Sequence, residues 1–582
     1  MEAGVAANQE KTTKKILGIN IRNHDAFTGL LVSVFLFFGF IGIVNHEMWL
    51  DELQAWLIAR DSSSLLELFK NLRYEGHPGL WHVGLYLISR FTHNPTFMQF
   101  FHLIIATSSI YIFAKFAPFT KIQKIVVSFG YFTFYEYNII SRNYAIGVLL
   151  IFCFCAFFYT RTKSYLLLSG FLFFLANTNV YGAIISISLG LMLIFEYLLS
   201  RKLGLSATER RRELLLSLFI FSSGITISAV QMIPPSDASF AAGWKTSFEI
   251  KRFAEVLLKI GESYVPIPNV FTYKFWGISI FTAGELSTTF GKVATGLGLV
   301  VSAGLLVFAL VLFSRIPVVF FLYTTGTFGM LFFMYIKHPG EIRHSGYLFI
   351  LFITCLWLLN YYIQSKRSIY YSRRLSLVFY KTTRILRTLN NFAFRYRNQL
   401  IMAILYTHLA AGVFMYTMDL HNPFSLSKEV AKFIKENQIE DKLLVGDLDY
   451  VNYIGPPLSG YLEQKIYYVG GQRSGWGSFT IWDDKRGYTN RQQVYNFFRE
   501  IDKLTTGKNT SLFLVLNYQL GSCQPGGGNR VMPRGDIKFQ SYCFNFPNLC
   551  ISEISKFIEG IVPDEGKVYY LYRIQQNKIV EG

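Results

Sequence analysis

Hydrophobic positions along this chain of 582 residues fall into two regimes that meet near residue 420. Before that point, apolar runs of about 18–20 residues recur, the length an α-helix needs to cross the hydrocarbon of a bilayer. They predict about eleven spans, near residues 25–45, 97–116, 124–138, 144–160, 164–180, 181–200, 214–233, 291–314, 316–336, 344–364 and 399–418. After it the pattern alternates: 428–437 and 491–504 read as helices, and 442–446, 465–469, 511–517 and 567–574 as strands. That is the rhythm of a small α/β domain. The fold class expected is an α-helical polytopic membrane protein with a C-terminal soluble α/β domain.

Two stretches between spans are more than connectors. In the loop 47–96, apolar residues at 49, 50, 53, 56 and 57 share one helical face, and Ser62-Ser63-Ser64 can cap a second short helix. A third piece, Leu80 to Phe91, is too short to span and reads as an interfacial or re-entrant helix. The loop 234–290 carries an amphipathic stretch from Phe248 to Ile260. The chain thus divides into a tail, 1–24, a membrane module, 25–419, and the domain 420–582.

Composition supports the membrane class: 52% of residues are hydrophobic and only 16% charged, against about 25% charged in soluble domains. The net charge of +19 would suit nucleic-acid binding if it formed one patch. Instead the bases cluster between spans, as in Arg201–Arg212 and Lys366–Arg397. This is the positive-inside pattern, which places the N-terminus in the cytoplasm and the tail domain outside. The basic, aromatic segment 365–398 is expected to lie on anionic headgroups. Cys153, Cys155 and Cys355 fall within spans as packing residues; Cys523, Cys543 and Cys550 fall in the tail, where one disulfide with one thiol left over is an open alternative. Asp447 and Asp449 resemble a carboxylate pair but suit a turn after a strand, and Asn509-Thr510-Ser511 is a sequon without context.

The charged groups next to spans carry the chemistry. Asp51 and Glu52 follow the first span, bracketed by Trp49 and Trp56. Glu75 and His77 precede the interfacial helix; Glu136, Arg142 and Tyr144 flank the turn before the fourth span; Lys337, His338, Arg343 and His344 flank the turn before the tenth. All four groups fall on the outer side of a topology derived without them. A charge near hydrocarbon costs roughly 2.5–3.5 kcal/mol even on lenient scales, so such placement asks for a function. Displacement at a sugar's anomeric carbon needs a carboxylate to take the acceptor's proton and fixed cations for a departing phosphate. Asp51 or Glu52 suits the first task; Arg343, His338, Lys337 or Arg142 suits the second.

These residues resemble the GT-C superfamily of integral-membrane glycosyltransferases, which includes protein O-mannosyltransferases, lipid A aminoarabinose transferases and bacterial lipopolysaccharide glycosyltransferases. The family's Asp-Glu pair in the first outer loop is matched by Asp51-Glu52. Its His-Pro-Pro or Lys-Pro element is matched by His77-Pro78-Gly79-Leu80-Trp81, with Gly79 in place of the second proline. Arg142-Asn143-Tyr144 is similar to the Arg-x-Tyr element of the bacterial branch. The motifs cover about residues 25–200; from 200 to 420 the likeness rests on topology, and the tail carries no motif of the family, although outer C-terminal domains are common in these enzymes.

The resemblance implies Asp51 as catalytic base; on the chemistry of the residues, Glu52 is expected to position the acceptor or a metal. Glu75, His77, Glu136, Arg142 and Tyr144 would position acceptor or donor, and Lys337, His338, Arg343 and His344 would hold the donor phosphate. Some relatives use a divalent metal, Mg or Mn, and two adjacent acids do not decide the matter. The activity expected is inverting transfer from a polyprenyl-phosphate sugar to a glycan, glycolipid or envelope polymer, at the outer face of a bacterial inner membrane. The rival is a secondary transporter or flippase for an anionic lipid or solute, which would also place charges in a membrane. No internal repeat of the transporter kind is visible.

Overall fold

The computed structural model describes residues 21–202, 211–270, 275–277, 279–282, 289–364, 384–447, 455–469, 474–483, 491–506, 511–522, 530–534, 544–545, 549–558, 560–562 and 568–576. Among them, nine helices are long and apolar enough to cross a membrane. The helix Ile342–Gln364 is apolar all round and 83% of its apolar window is buried, so it forms the central pillar. Arg211–Met232 is equally apolar, yet only 17% of its window is buried. Its remaining faces are apolar and uncovered, which suits a helix turned towards lipid.

Two of the eleven expected crossings are not regular spans. The stretch 124–138 is a short helix, Lys121–Ser128, followed by a π-helical turn, Tyr131–Glu136. Its N-terminus lies at one end of the bundle, where the Lys124 ammonium donates to the Ala114 carbonyl at 2.6 Å; its far end accepts from His102 at the Asn138 carbonyl, at 3.2 Å. The break follows from Gly130, which leaves room for the last helix, and from the Thr133 hydroxyl, which bonds the Val127 and Ser128 carbonyls left over. Gly412 on that last helix packs against the broken backbone: an added Cβ would meet the Phe129 carbonyl at 2.7 Å and the Tyr131 nitrogen at 3.0 Å. The stretch 164–180 holds only Leu166–Ala176, stopped where the Asn177 amide bonds the Phe173 and Gly224 carbonyls.

The loop 234–290 holds the expected amphipathic helix, in an arrangement its sequence did not indicate. Its amphipathic helix, Ile250–Tyr264, does not lie flat over the bundle but inserts into it. Arg252 bonds the Tyr335 carbonyl at the end of the bundle that carries the soluble domain, whereas the Tyr264 hydroxyl meets that of Tyr323 at 2.9 Å and its ring packs 4.9 Å from Phe352. Tyr323 lies 13 residues from Ile336 and Phe352 ten from Ile342, which puts the tip roughly 15–20 Å inside the bundle. Gly298 and Gly261 permit the approach, with the Ser302 hydroxyl accepting from the Gly261 N–H at 3.0 Å.

Short helices Leu50–Asp61, Leu65–Leu72 and Leu80–Ser89 follow the first span, Ile21–Asn45. The last span belongs to a helix running from Arg384 to His421, so the basic segment expected to lie on headgroups is, from 384 onward, part of that helix. Residues 365–383 lie outside the described residues.

Beyond it stands a sheet of six strands: β1 Leu443–Asp447, β2 Ile466–Val469, β3 Gly475–Gly477, β4 Leu512–Leu516, β8 Leu549–Ile558 and β9 Val568–Gln576, in the order β3-β2-β1-β4-β9-β8. β1 pairs in parallel with β2 and β4. A second small sheet joins β5 Gln519–Ser522, β6 Arg530–Arg534 and β7 Phe544–Asn545. Both faces of the larger sheet are covered. Leu512, Leu514 and Leu516 pack with Phe497, Phe498 and Ile501 of the helix Arg491–Thr505. Phe513 and Val515 pack the other way, against Val430 and Ile434 of Ser427–Glu436 and Leu458 of Gly455–Leu462. The helices and strands expected here recur within a few residues; the short helix Gly455–Leu462, β3, β8 and the small sheet of β5, β6 and β7 are additions to them. Cys550 is a free, exposed thiol. Cys523, Cys543, Asp449 and Asn509-Thr510 lie outside the described residues, while Asp447 accepts from the Tyr518 hydroxyl at 2.6 Å.

Candidate active site

The charged residues converge where the soluble domain meets the bundle. Glu52 reaches back to the Trp49 N–H at 3.1 Å, the reciprocal half of a capping box, which fixes the start of the Leu50–Asp61 helix. Asp51 then projects from the first turn towards the turn 138–143. Its carboxylate pairs closely with the Arg142 guanidinium and lies 3.6 Å from that of Arg343. The Asp51 side chain remains 27% exposed, so the ion pair faces an accessible space. Burial works against its charge, yet the two guanidinium groups more than offset this and hold Asp51 below the usual carboxylate range.

Aromatic rings hold the cations in place. The Arg343 guanidinium lies 5.3 Å from the centroids of both Trp49 and Trp276, and Arg142 lies 5.9 Å from Trp49 and 5.7 Å from Tyr144. Glu136 is buried in the π-helical turn and accepts from the Trp276 indole at 3.2 Å and the Tyr131 hydroxyl at 3.0 Å. It therefore positions Trp276, and with it Arg343. The Tyr137 hydroxyl donates to the Arg343 carbonyl at 2.6 Å.

Glu75 and His77 close another side. Glu75 accepts from the Gln54 amide at 2.8 Å, and burial, reinforced by nearby Asp51, pushes its carboxyl up to about 7 despite that bond. Burial and the Arg142 charge push His77 down to about 4, against the pull of Asp51, so it is neutral at pH 7. Gln54 also bonds both backbone groups of Thr480, donating to the carbonyl at 2.7 Å and accepting from the N–H at 2.9 Å. Segment 478–483 of the soluble domain is thereby fastened over the site. Tyr461 reinforces the contact through the Met48 carbonyl, and Ser478 through Asp61.

Several expected roles shift. Glu52 is fully buried, and its oxygens accept from the Ser141 N–H at 2.6 Å, the Trp49 N–H and the His46 ring. In this arrangement it braces the site from behind and faces no open space. The two acids point apart, Asp51 lying between guanidinium groups and Glu52 turned towards Ser141 and His46. Among the described residues, no group of three or more His, Cys, Asp or Glu side chains is placed to hold a metal.

Lys337 donates to the Phe240 and Ala242 carbonyls at 2.6 and 2.9 Å and sits over Trp244, so it ties down the loop 234–248. His344 spends its Nδ1 on the Glu341 N–H at 2.7 Å, capping its own helix between the rings of Tyr144 and Tyr181. His338 stands 5.9 Å beyond His344, its pKa lowered by burial. Of the four phosphate candidates in that turn, only Arg343 pairs with Asp51 among the described residues.

Sequence reasoning missed His46, Gln54, Trp276 and Asp419. Asp419 carried a readable signal, a lone carboxylate at the end of the last span.

No protein-family model matches this chain, and no curated protein matches its sequence. Solved structures do. One is the crystal structure of ArnT from Cupriavidus metallidurans bound to undecaprenyl phosphate, at 12% identity and a TM-score of 0.42, covering 84% of this chain and 93% of that one. Another is the same protein in the apo state, at 14% identity and a TM-score of 0.39, with the same coverage.

Proposed function

We propose that this chain is an inverting glycosyltransferase that draws a sugar from a polyprenyl-phosphate donor and works at the outer face of a bacterial inner membrane. The observation that carries the reading is a partly exposed carboxylate, Asp51, lying between two aromatic-braced guanidinium groups where the helix bundle meets the soluble domain. A donor phosphate arriving from the bilayer would take over the positive charge of Arg142 and Arg343. Their pull on Asp51 then falls, and its basicity rises only when donor is in place.

Asp51 accepts the proton of an acceptor hydroxyl. The oxygen attacks the anomeric carbon, the carbon–oxygen bond to phosphate breaks on the opposite side, and the electron pair leaves with the phosphate. One base and one in-line displacement invert the centre, and a phosphate leaving group needs no general acid. The acceptor is a glycan, glycolipid or envelope polymer, entering beside Glu75, His77 and segment 478–483.

The test is transfer of label by purified protein from a polyprenyl-phosphate sugar to an envelope acceptor extract, with Asp51→Asn in parallel. A labelled polymer or glycolipid formed by the wild type alone supports the reading. Equal transfer by both proteins removes Asp51 from its role. Movement of labelled lipid between leaflets without any product favours the flippase reading.

A further inference from the structure

His46 lies between the first span and the site, and both of its ring nitrogens face carboxylates. Nδ1 is 2.9 Å from an oxygen of Asp419, at the end of the last span, and Nε2 is 3.1 Å from Glu52. A neutral imidazole has one N–H, so one of the two carboxylates would then face a lone pair inside the protein. Only the doubly protonated ring donates to both acids at once. Its charge also offsets two anions that would otherwise be buried together.

The other groups around the ring do not supply that charge. Glu47 is the next residue and is itself acidic; Tyr135 lies beside Asp419; His102 approaches from the Thr96–Phe116 helix; and the Phe424 ring packs 4.5 Å away. Burial disfavours the imidazolium, yet Asp419 and Glu52 more than offset it, and its pKa stands well above 6.5.

From His46 a chain of buried bonds leads to the site. Glu52 passes the link to the Ser141 N–H at 2.6 Å, next to Arg142, and Asp51 adjoins Glu52 on the same helix. We propose that His46 is a positioning residue: a permanent imidazolium that ties the last span to the turn 138–143 and so sets Arg142 opposite Asp51. This rests on the glycosyltransferase reading for its consequence, though not for its protonation state. Loss of the proton would leave Glu52 and Asp419 repelling one another, and the turn bearing Arg142 would lose its anchor.

The test uses the full-length protein in lipid nanodiscs with ring-15N histidine, taking the His46 signal as the one missing from His46→Gln. Both nitrogens should be protonated up to pH 8 in the wild type. Asp419→Asn should move the His46 midpoint down towards 6.5. In that variant undecaprenyl phosphate should bind at least about fivefold more weakly at pH 8 than at pH 6, while the same comparison for the wild type changes less.

A neutral His46 ring at pH 7 in the wild type overturns the proposal. So does wild-type affinity for undecaprenyl phosphate in a folded His46→Gln protein, or an Asp419→Asn pH profile identical to the wild type. Should the wild type bind no polyprenyl phosphate at all, the glycosyltransferase reading fails, and the nitrogen shifts still decide the state of His46.

Discussion

Replacing Asp51 by asparagine should separate donor binding from turnover. The carboxylate competes with an incoming phosphate for Arg142 and Arg343. At 3.6 Å and an effective dielectric of about 20, a single pair is worth about 4–5 kcal/mol before desolvation is counted. Exposed pairs measure about 0.2–1 kcal/mol, and breaking a buried one costs about 3–5 kcal/mol. With 27% of the Asp51 side chain exposed, an intermediate value of roughly 1–3 kcal/mol is appropriate. Removing the competitor should therefore tighten polyprenyl-phosphate binding by about 5- to 150-fold. Loss of the base should slow single-turnover transfer by about 100- to 10,000-fold.

The assay pairs equilibrium binding of undecaprenyl phosphate with rapid-quench transfer from a saturating donor. High salt should narrow the difference in binding, because screening weakens the competition that the asparagine removes. Weaker binding in Asp51→Asn, at unchanged turnover, would refute the reasoning, since it would make Asp51 a donor ligand and not a base.

Three further outcomes test the surroundings. Glu75 titrates near 7 in the folded protein and near 4.5 when unfolded, so the native state holds the extra proton between those values; stability should fall as pH rises through that window, and Glu75→Gln should flatten the slope in thermal unfolding between pH 5 and 8. Gln54→Ala removes both bonds to Thr480 and the bond to Glu75; at about 1 kcal/mol or more for each partner left without a bond, segment 478–483 should exchange its amide hydrogens faster, while strands β1 and β4 keep their protection. Gly412→Ala should cost about 1–3 kcal/mol by pushing the last helix off rigid backbone at Phe129–Tyr131, seen as a lower unfolding midpoint, whereas Gly296→Ala, which meets open space within a helix, should leave the midpoint unchanged or slightly raised.

How far the site was legible depends on what each residue had to reveal. Asp51, Arg142 and Arg343 stood out because charges beside apolar runs are costly, and the positive-inside rule put them on one face. Glu52 was legible as an acid but not in direction: neighbours on a helix point about 100° apart, and what Glu52 meets is set by the turn 138–143. The partnership of His46 and Asp419 spans 373 residues, and no local pattern encodes such a pairing. Lys337 and His344 carry suitable chemistry, yet bonds to nearby backbone groups had already engaged them. In the fold, eleven apolar stretches were visible, but the break at Gly130 arises from contact with the last helix. The period of Ile250–Tyr264 revealed an apolar face without saying whether lipid or protein would cover it.

That helix bears on how the protein is made. Its 15 residues include Lys251, Arg252, Glu255, Lys259 and Glu262. At about 2.5–3.5 kcal/mol for each charge near the bilayer centre, the translocation machinery would not release it into lipid as it emerges. Glu262 carries its own counter-charge in Lys259, one turn earlier at 2.8 Å. The helix can settle in the bundle only once Thr289–Phe313 and Ile342–Gln364 are in place, because Gly261 bonds Ser302 of the first and the helix packs along the second. A chain arrested before that packing would therefore carry every span yet leave a vacant slot beside the central pillar.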